Sequence, residues 1–147
     1  MKYKLSMIGM VFLVLTVCNY WPMSARLNKA NYSLNLFEKS DVRFNLRVSG
    51  YDDNQKTTVY FLRYAEGEEV SYKACVMSGE ATEVQKNEFK TYGIPKSASL
   101  ACVSFLSGVG EVVYIMDKGS TFEVYKGTYY EGDSPKPKFS KINTLKI

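Results

Sequence analysis

The stretch "DVRFNLRV", residues 41–48, decides how the chain is read. Val42, Phe44, Leu46 and Val48 alternate strictly with Asp41, Arg43, Asn45 and Arg47. Side chains on an extended strand point to opposite faces in turn, so this period of two predicts a strand with one face on a core and the other in water.

The pattern continues outward from there. "SGYDDNQK" supplies turn residues, and "TTVYFLRYA" (57–65) is a β-branched and aromatic strand. "EGEE" reverses the chain into "VSYKACVM" (70–77), which predicts a hairpin around Gly67. "SASLACVSFL" (97–106) and "EVVYIMD" (111–117) flank the Gly-rich "SGVG" at hairpin spacing, and "KGS" leads into "TFEVYKGTYY" (121–130). Gly127 interrupts that alternation and predicts a bulge or bend. After "EGDSPKPK", whose prolines remove backbone donors, "FSKINTLKI" (139–147) reads as a last strand. The least regular stretch is 78–96, with room for one helical turn or a short edge strand before Gly93 and Pro95. About seven or eight evenly spaced strands and no long helical pattern predict an all-β domain, a small antiparallel barrel or sandwich.

Before this domain lies a different kind of sequence. Lys2 and Lys4 precede an apolar run from Met7 to Cys18, and more polar residues follow from Asn19, the order of an export signal. The run falls short of the roughly 17–25 residues of a spanning helix, although counting Tyr20, Trp21, Pro22 and Met23 brings it near the lower limit. "PMSA" offers Ala25 and Met23 at the positions where cleavage wants small residues, and meets one of the two. Val17 before Cys18 is a poor match for lipid attachment. The expectation is a cleaved signal peptide or signal anchor over residues 1–25, a short linker from Arg26 to Ala30, and one β-rich domain within 26–147 placed outside the cytoplasm, periplasmic or secreted. The alternative is a single-pass anchored protein held through residues 7–23. "NYS" at Asn31 is a glycosylation acceptor only in a eukaryotic host.

The charge balance is +4, from 19 basic and 15 acidic residues, and leaving out Lys2 and Lys4 makes it +2. Lys and Glu alternate throughout, so no concentrated basic face predicts nucleic-acid binding. Twelve Tyr and eight Phe fit the half-buried surface of a pleated sheet.

The chain contains no histidine, which removes the commonest general base and metal ligand and excludes a nucleophile relayed through one. The carboxylate clusters, Asp52 with Asp53 and Glu66 with Glu68 and Glu69, lie in predicted turns, where acidic residues ordinarily serve chain reversal. Neither a phosphate-binding loop nor a metal-ligand spacing occurs, and no cofactor is expected. Beyond the leader the only cysteines are Cys75 and Cys102, each centred in a predicted strand. In an exported domain an even pair predicts a disulfide, which would contribute roughly 3 kcal/mol if the α-carbons come within about 7 Å.

Residues 107–127, "SGVGEVVYIMDKGSTFEVYKG", resemble the periplasmic inhibitors of animal-type lysozyme, small β-barrels whose loops carry a Ser-Gly turn and a later Lys-Gly. The resemblance implies Ser107 and Lys118 as contacts reaching an enzyme cleft. It covers this stretch alone, and that family's terminal cysteine is missing here. Tyr114 and Tyr125, in the same hairpins, join them as expected partner contacts, because tyrosine suits protein recognition. The function expected is that of a non-enzymatic binding protein acting on another protein, such as an inhibitor, an immunity-type partner or an envelope-assembly subunit. The alternatives are a barrel that binds a small ligand in its interior and a membrane-anchored structural subunit.

Overall fold

The computed structural model describes residues 32–50, 52–130, 132 and 136–147. The expected leader, the linker and Asn31 lie outside the described residues. Among the described residues nine strands form two antiparallel sheets, each a simple meander. The first sheet runs β1 (Tyr32–Lys39), β2 (Val42–Val48), β3 (Lys56–Ala65) and β4 (Glu68–Ser78). The second runs β5 (Glu80–Glu83), β6 (Leu100–Leu106), β7 (Val109–Asp117), β8 (Thr121–Tyr130) and β9 (Ser140–Lys146). Tight turns set the hairpin registers. Glu66 and Gly67 (φ 52° and 80°) and Ser107 and Gly108 (φ 52° and 79°) take the paired positive φ values whose twist matches right-handed strands.

The inner faces meet in one core. Phe44, Leu46, Val48, Val59, Phe61 and Met77 from the first sheet pack on Leu100, Val113, Ile115, Phe122 and Val124 from the second. The fold is a sandwich and not a barrel, because no backbone ladder joins β1 to β5 or β4 to β9. Side chains span both gaps instead. On one side the Tyr32 hydroxyl donates to the Ala81 carbonyl and the Asn35 amide to that of Ala101. On the other, Asn143 Nδ2 donates to the carbonyls of Lys73 (3.2 Å) and Ala74 (3.3 Å), and Lys126 Nζ to that of Val76 (3.1 Å). Register shifts sit where these bridges form. One lies beside Asn35, and another leaves Ala74 as the extra residue of β4. A bulge breaks the ladder locally and turns polar groups outward, which leaves the carbonyls of β4 open to the partner sheet.

The passage between the sheets is made at one residue. β4 ends at Ser78 and β5 starts at Glu80, so Gly79 alone carries the chain from the first sheet to the second. Its φ is 87°, and a Cβ there would lie 2.3 Å from the Phe105 carbonyl oxygen. The polar groups of this corner are all paired: Thr57 Oγ1 donates to the Gly79 carbonyl (2.7 Å), Ser104 Oγ to that of Ser78 (2.7 Å), the Ser78 N–H to Glu111 Oε2 (2.5 Å), and the Gly79 N–H to the Gln55 carbonyl (2.8 Å).

A second, smaller core covers the outer face of the second sheet. Val84, Phe89, Ile94 and Ala98, from the connection between β5 and β6, pack on Ala101, Val103, Val112 and Tyr114. This is the irregular stretch of the sequence. It contains both features expected as alternatives, the edge strand β5 and a single 3-10 turn at Lys86–Glu88. Gly127 does not mark the expected bulge: it pairs in register with Val112, and the shift falls between Val124 and Tyr125. Glycine is needed there because a Cβ would come within 2.8 Å of the Pro137 side chain and 3.0 Å of the Phe139 ring.

The expected disulfide is absent. Cys75 and Cys102 are free thiols, buried in the shared core on β4 and β6 respectively. They belong to opposite sheets, which pack about 10 Å apart in sandwiches, and Cys102 Sγ instead contacts the Met77 sulfur at 3.5 Å. Burial pushes the Cys75 thiol up to about 12 and that of Cys102 well up, so both stay protonated and unreactive in the folded state. Iodoacetamide should therefore leave both unmodified in the native protein and alkylate both in denaturant without reductant, as read by peptide mass mapping. Alkylation that required reductant would restore the disulfide.

The corner predicts a second outcome. Gly67 shares the positive φ of Gly79 but has open space around its missing Cβ. Gly67→Ala should cost only the backbone strain, roughly 1–2 kcal/mol, whereas Gly79→Ala should cost roughly 3 kcal/mol or more in urea unfolding, because it also displaces backbone. Equal losses would refute the steric account.

Candidate functional site

Residues 84–99 cover the outer side of the second sheet, whereas among the described residues no such segment packs on the outer face of the first. Strand parity assigns its residues. Leu46, Val48, Val59 and Phe61 point into the core, so Arg43, Asn45 and Arg47 of β2 and Thr58, Tyr60, Leu62 and Tyr64 of β3 point out. The ladders add Leu36 of β1, opposite Asn45, and Glu69, Lys73 and Val76 of β4, opposite Tyr64, Tyr60 and Thr58.

This face is ordered by its own contacts. The Arg47 guanidinium forms a two-point pair with Glu69 (2.7 and 2.9 Å) and donates to the Tyr64 hydroxyl (3.2 Å). Arg47 holds the Glu69 carboxyl below the usual carboxylate range, while burial, with Glu69 beside it, raises the Tyr64 phenol. The Arg43 guanidinium lies 5.7 Å from the centre of the Tyr64 ring, within cation–π range. Beneath these long side chains Leu62 is completely buried although its position faces outward. Asn45 is buried beside it, and its Oδ1 has no hydrogen-bond donor among the described residues. Leu36, by contrast, is 58% exposed at one margin and Val76 37% at the other.

The four partner contacts expected from the sequence do not form one site. Ser107 occupies the β6–β7 turn and Lys118 the β7–β8 turn, at opposite ends of β7. At about 3.3 Å per residue they stand on the order of 30 Å apart, too far to enter one cleft as the resemblance to lysozyme inhibitors implied. Lys118 is exposed and lies 3.9 Å from Glu123. Tyr114 is buried in the second core, with its ring stacked on Tyr125 (5.0 Å) and edge-on to Phe139 (4.8 Å), so it offers a partner nothing. Tyr125 is half-buried, and its hydroxyl donates to Glu123 (2.6 Å).

Three residues of the acidic clusters, Asp52, Glu66 and Glu69, serve the backbone or pair with a basic group. Asp52 Oδ1 accepts the N–H groups of Asn54 and Lys56, both at 2.9 Å, which closes the β2–β3 connection. Glu66 forms its hairpin turn, and Glu69 is held by Arg47. Among the described residues no three Cys, Asp or Glu side chains gather as a metal set.

Sequence reasoning missed Tyr60, Leu62 and Tyr64. The signal was present in "TTVYFLRYA", where Tyr60, Leu62 and Tyr64 on one set alternate with Val59 and Phe61 on the other. A half-buried strand has one polar set, so such a strand asks for cover on both sides. The chain has no match among family models, curated proteins or solved structures.

Proposed function

We propose that this chain is a non-enzymatic binding protein that works outside the cytoplasm through protein–protein contacts made by the open face of the first sheet. The observation that carries the reading is the inequality of the two outer faces. One is covered by sixteen residues of connection, 84–99 between Glu83 and Leu100, and the other has no such cover among the described residues yet is lined with Tyr, Arg and Leu. Tyrosine and arginine dominate the energetic centres of protein interfaces, because each presents a large, stiff contact area with a polar end.

The partner that fits is a protein that sets carboxylates beside apolar side chains reaching the margins of this face. Arg43 and Lys73 have no carboxylate within 4.0 Å among the described residues, while Leu36 and Val76 present the apolar contact. The packed interior supports this reading over a barrel with an internal ligand, since Leu46, Val59, Phe61, Met77 and Val113 are all completely buried. An inhibitor, an immunity-type partner and an envelope-assembly subunit all use such a surface. The membrane enters only through residues 7–23, should the leader be retained.

Two measurements test this. A photo-crosslinking amino acid in place of Tyr60 should yield one discrete adduct with another protein in the cell that makes the chain, lost on Arg43→Glu, whereas the same group at Thr91 should yield none. Adducts with a second copy alone, or none at position 60, would overturn the reading. Intact mass of the protein from that cell should correspond to loss of about 25 N-terminal residues. A full-length mass would replace export and release with membrane anchoring.

A further inference from the structure

A second feature lies at the end of the sandwich, away from the open face and independent of the reading above. The alternation of β3 that points Val59 and Phe61 into the core also points Arg63 inward, at the rim where the sheets part. Here the β1–β2 turn and the β7–β8 turn border a cleft of about 250 Å³, lined by Val42, Phe44 and Phe122 with Lys39, Arg63 and Ser120 around them. Below it the rings of Phe37, Phe44, Phe61 and Phe122 form one cluster with centroids 4.6 to 6.1 Å apart.

The two cations differ. Lys39 Nζ is engaged with Asp117 at 3.0 Å, a bridge that ties the two turns together. The Arg63 guanidinium has neither a carboxylate within 4.0 Å nor a side-chain hydrogen bond among the described residues. A guanidinium at the mouth of an apolar cleft presents a planar fork of donors matched to a carboxylate. The volume is below the roughly 300–1,000 Å³ that takes drug-sized molecules.

We propose that this cleft binds a small monocarboxylate with an apolar body, an arylalkanoate or a short-chain fatty acid, with the body on Phe44 and Phe122 and the carboxylate on Arg63. Backbone amide NMR titration of the full chain with 3-phenylpropionate, with hexanoate and with the neutral 3-phenylpropanamide tests it. Both acids should give saturable shifts at Phe44, Arg63 and Ser120. Affinity should fall at least tenfold for the amide, and as much for 3-phenylpropionate on Arg63→Gln, while Tyr60→Ala leaves it unchanged. Arg63 is half-exposed at the rim, so the variant should keep the wild-type amide spectrum elsewhere. Absence of saturable shifts, equal binding of acid and amide, or undiminished binding by Arg63→Gln would each overturn the proposal.

Discussion

Every other feature of this fold depends on the chain crossing between sheets at Gly79. A strand that changes sheets must bring its backbone polar groups into the interior, where an unpaired one costs roughly 1–3 kcal/mol. Thr57 and Ser104, both almost fully buried, take the two corner carbonyls, and the Glu111 carboxylate takes the Ser78 N–H. Glu111 is itself held at 2.9 Å by Lys126, whose ammonium also reaches the β4 edge at Val76. The corner preserves parity as well. Met77 before it and Ala81 after it both face the shared core, so a single turn hands the apolar set of one sheet to the other without exposing it. The two free thiols sit within this arrangement: Cys75 on one side of the crossing and Cys102 on the other face the same core from different sheets, and Cys102 meets the Met77 sulfur across it.

The two sheets differ in their connection lengths. Within the first, the described links are short: two residues in β1–β2 and β3–β4, 40–41 and 66–67, and seven in β2–β3, 49–55. The second sheet receives residues 84–99, and these bring Phe89 and Ile94 onto Val103 and Val112. An uncovered sheet with ordinary polar outward residues would be unremarkable, since antiparallel sheets often face water on one side. This one instead carries Leu62 beneath a layer of Arg and Tyr side chains, together with a buried acceptor on Asn45. Those chains are already ordered by mutual contacts, so a contact made there would cost less side-chain entropy.

Much of the architecture was legible in residues. The alternation of 41–48 placed β2 and its inward set, and the Gly67 and Ser107–Gly108 turns placed two hairpins, because local sterics alone decide these features. What could not be read was distance between strands remote in sequence. Each cysteine is centred in a predicted strand, which says nothing of the sheet it joins. Tyr114 is expected as a partner contact because tyrosine suits protein recognition, whereas the second core, built by a stretch with no period, buries it. The separation of Ser107 from Lys118 was legible, for a strand of nine residues between two turns fixes their distance.

β3 carries the deepest departure from pattern, and it explains where the sites lie. Leu62 faces out and is buried, and its neighbour Arg63 faces in and is charged. Slipping the strand by one residue would correct both, yet it would carry Val59 and Phe61, each completely buried, out of the core. Burying those two side chains stabilises the observed register by roughly 3–6 kcal/mol, more than two misplaced neighbours at the face and the rim can cost. The register is thus fixed from below, and the two residues that disobey it remain in place. Departures from local rules on a strand held this firmly are of the kind that proteins tolerate at functional sites. Leu62 lies at the centre of the open face, and Arg63 at the mouth of the cleft.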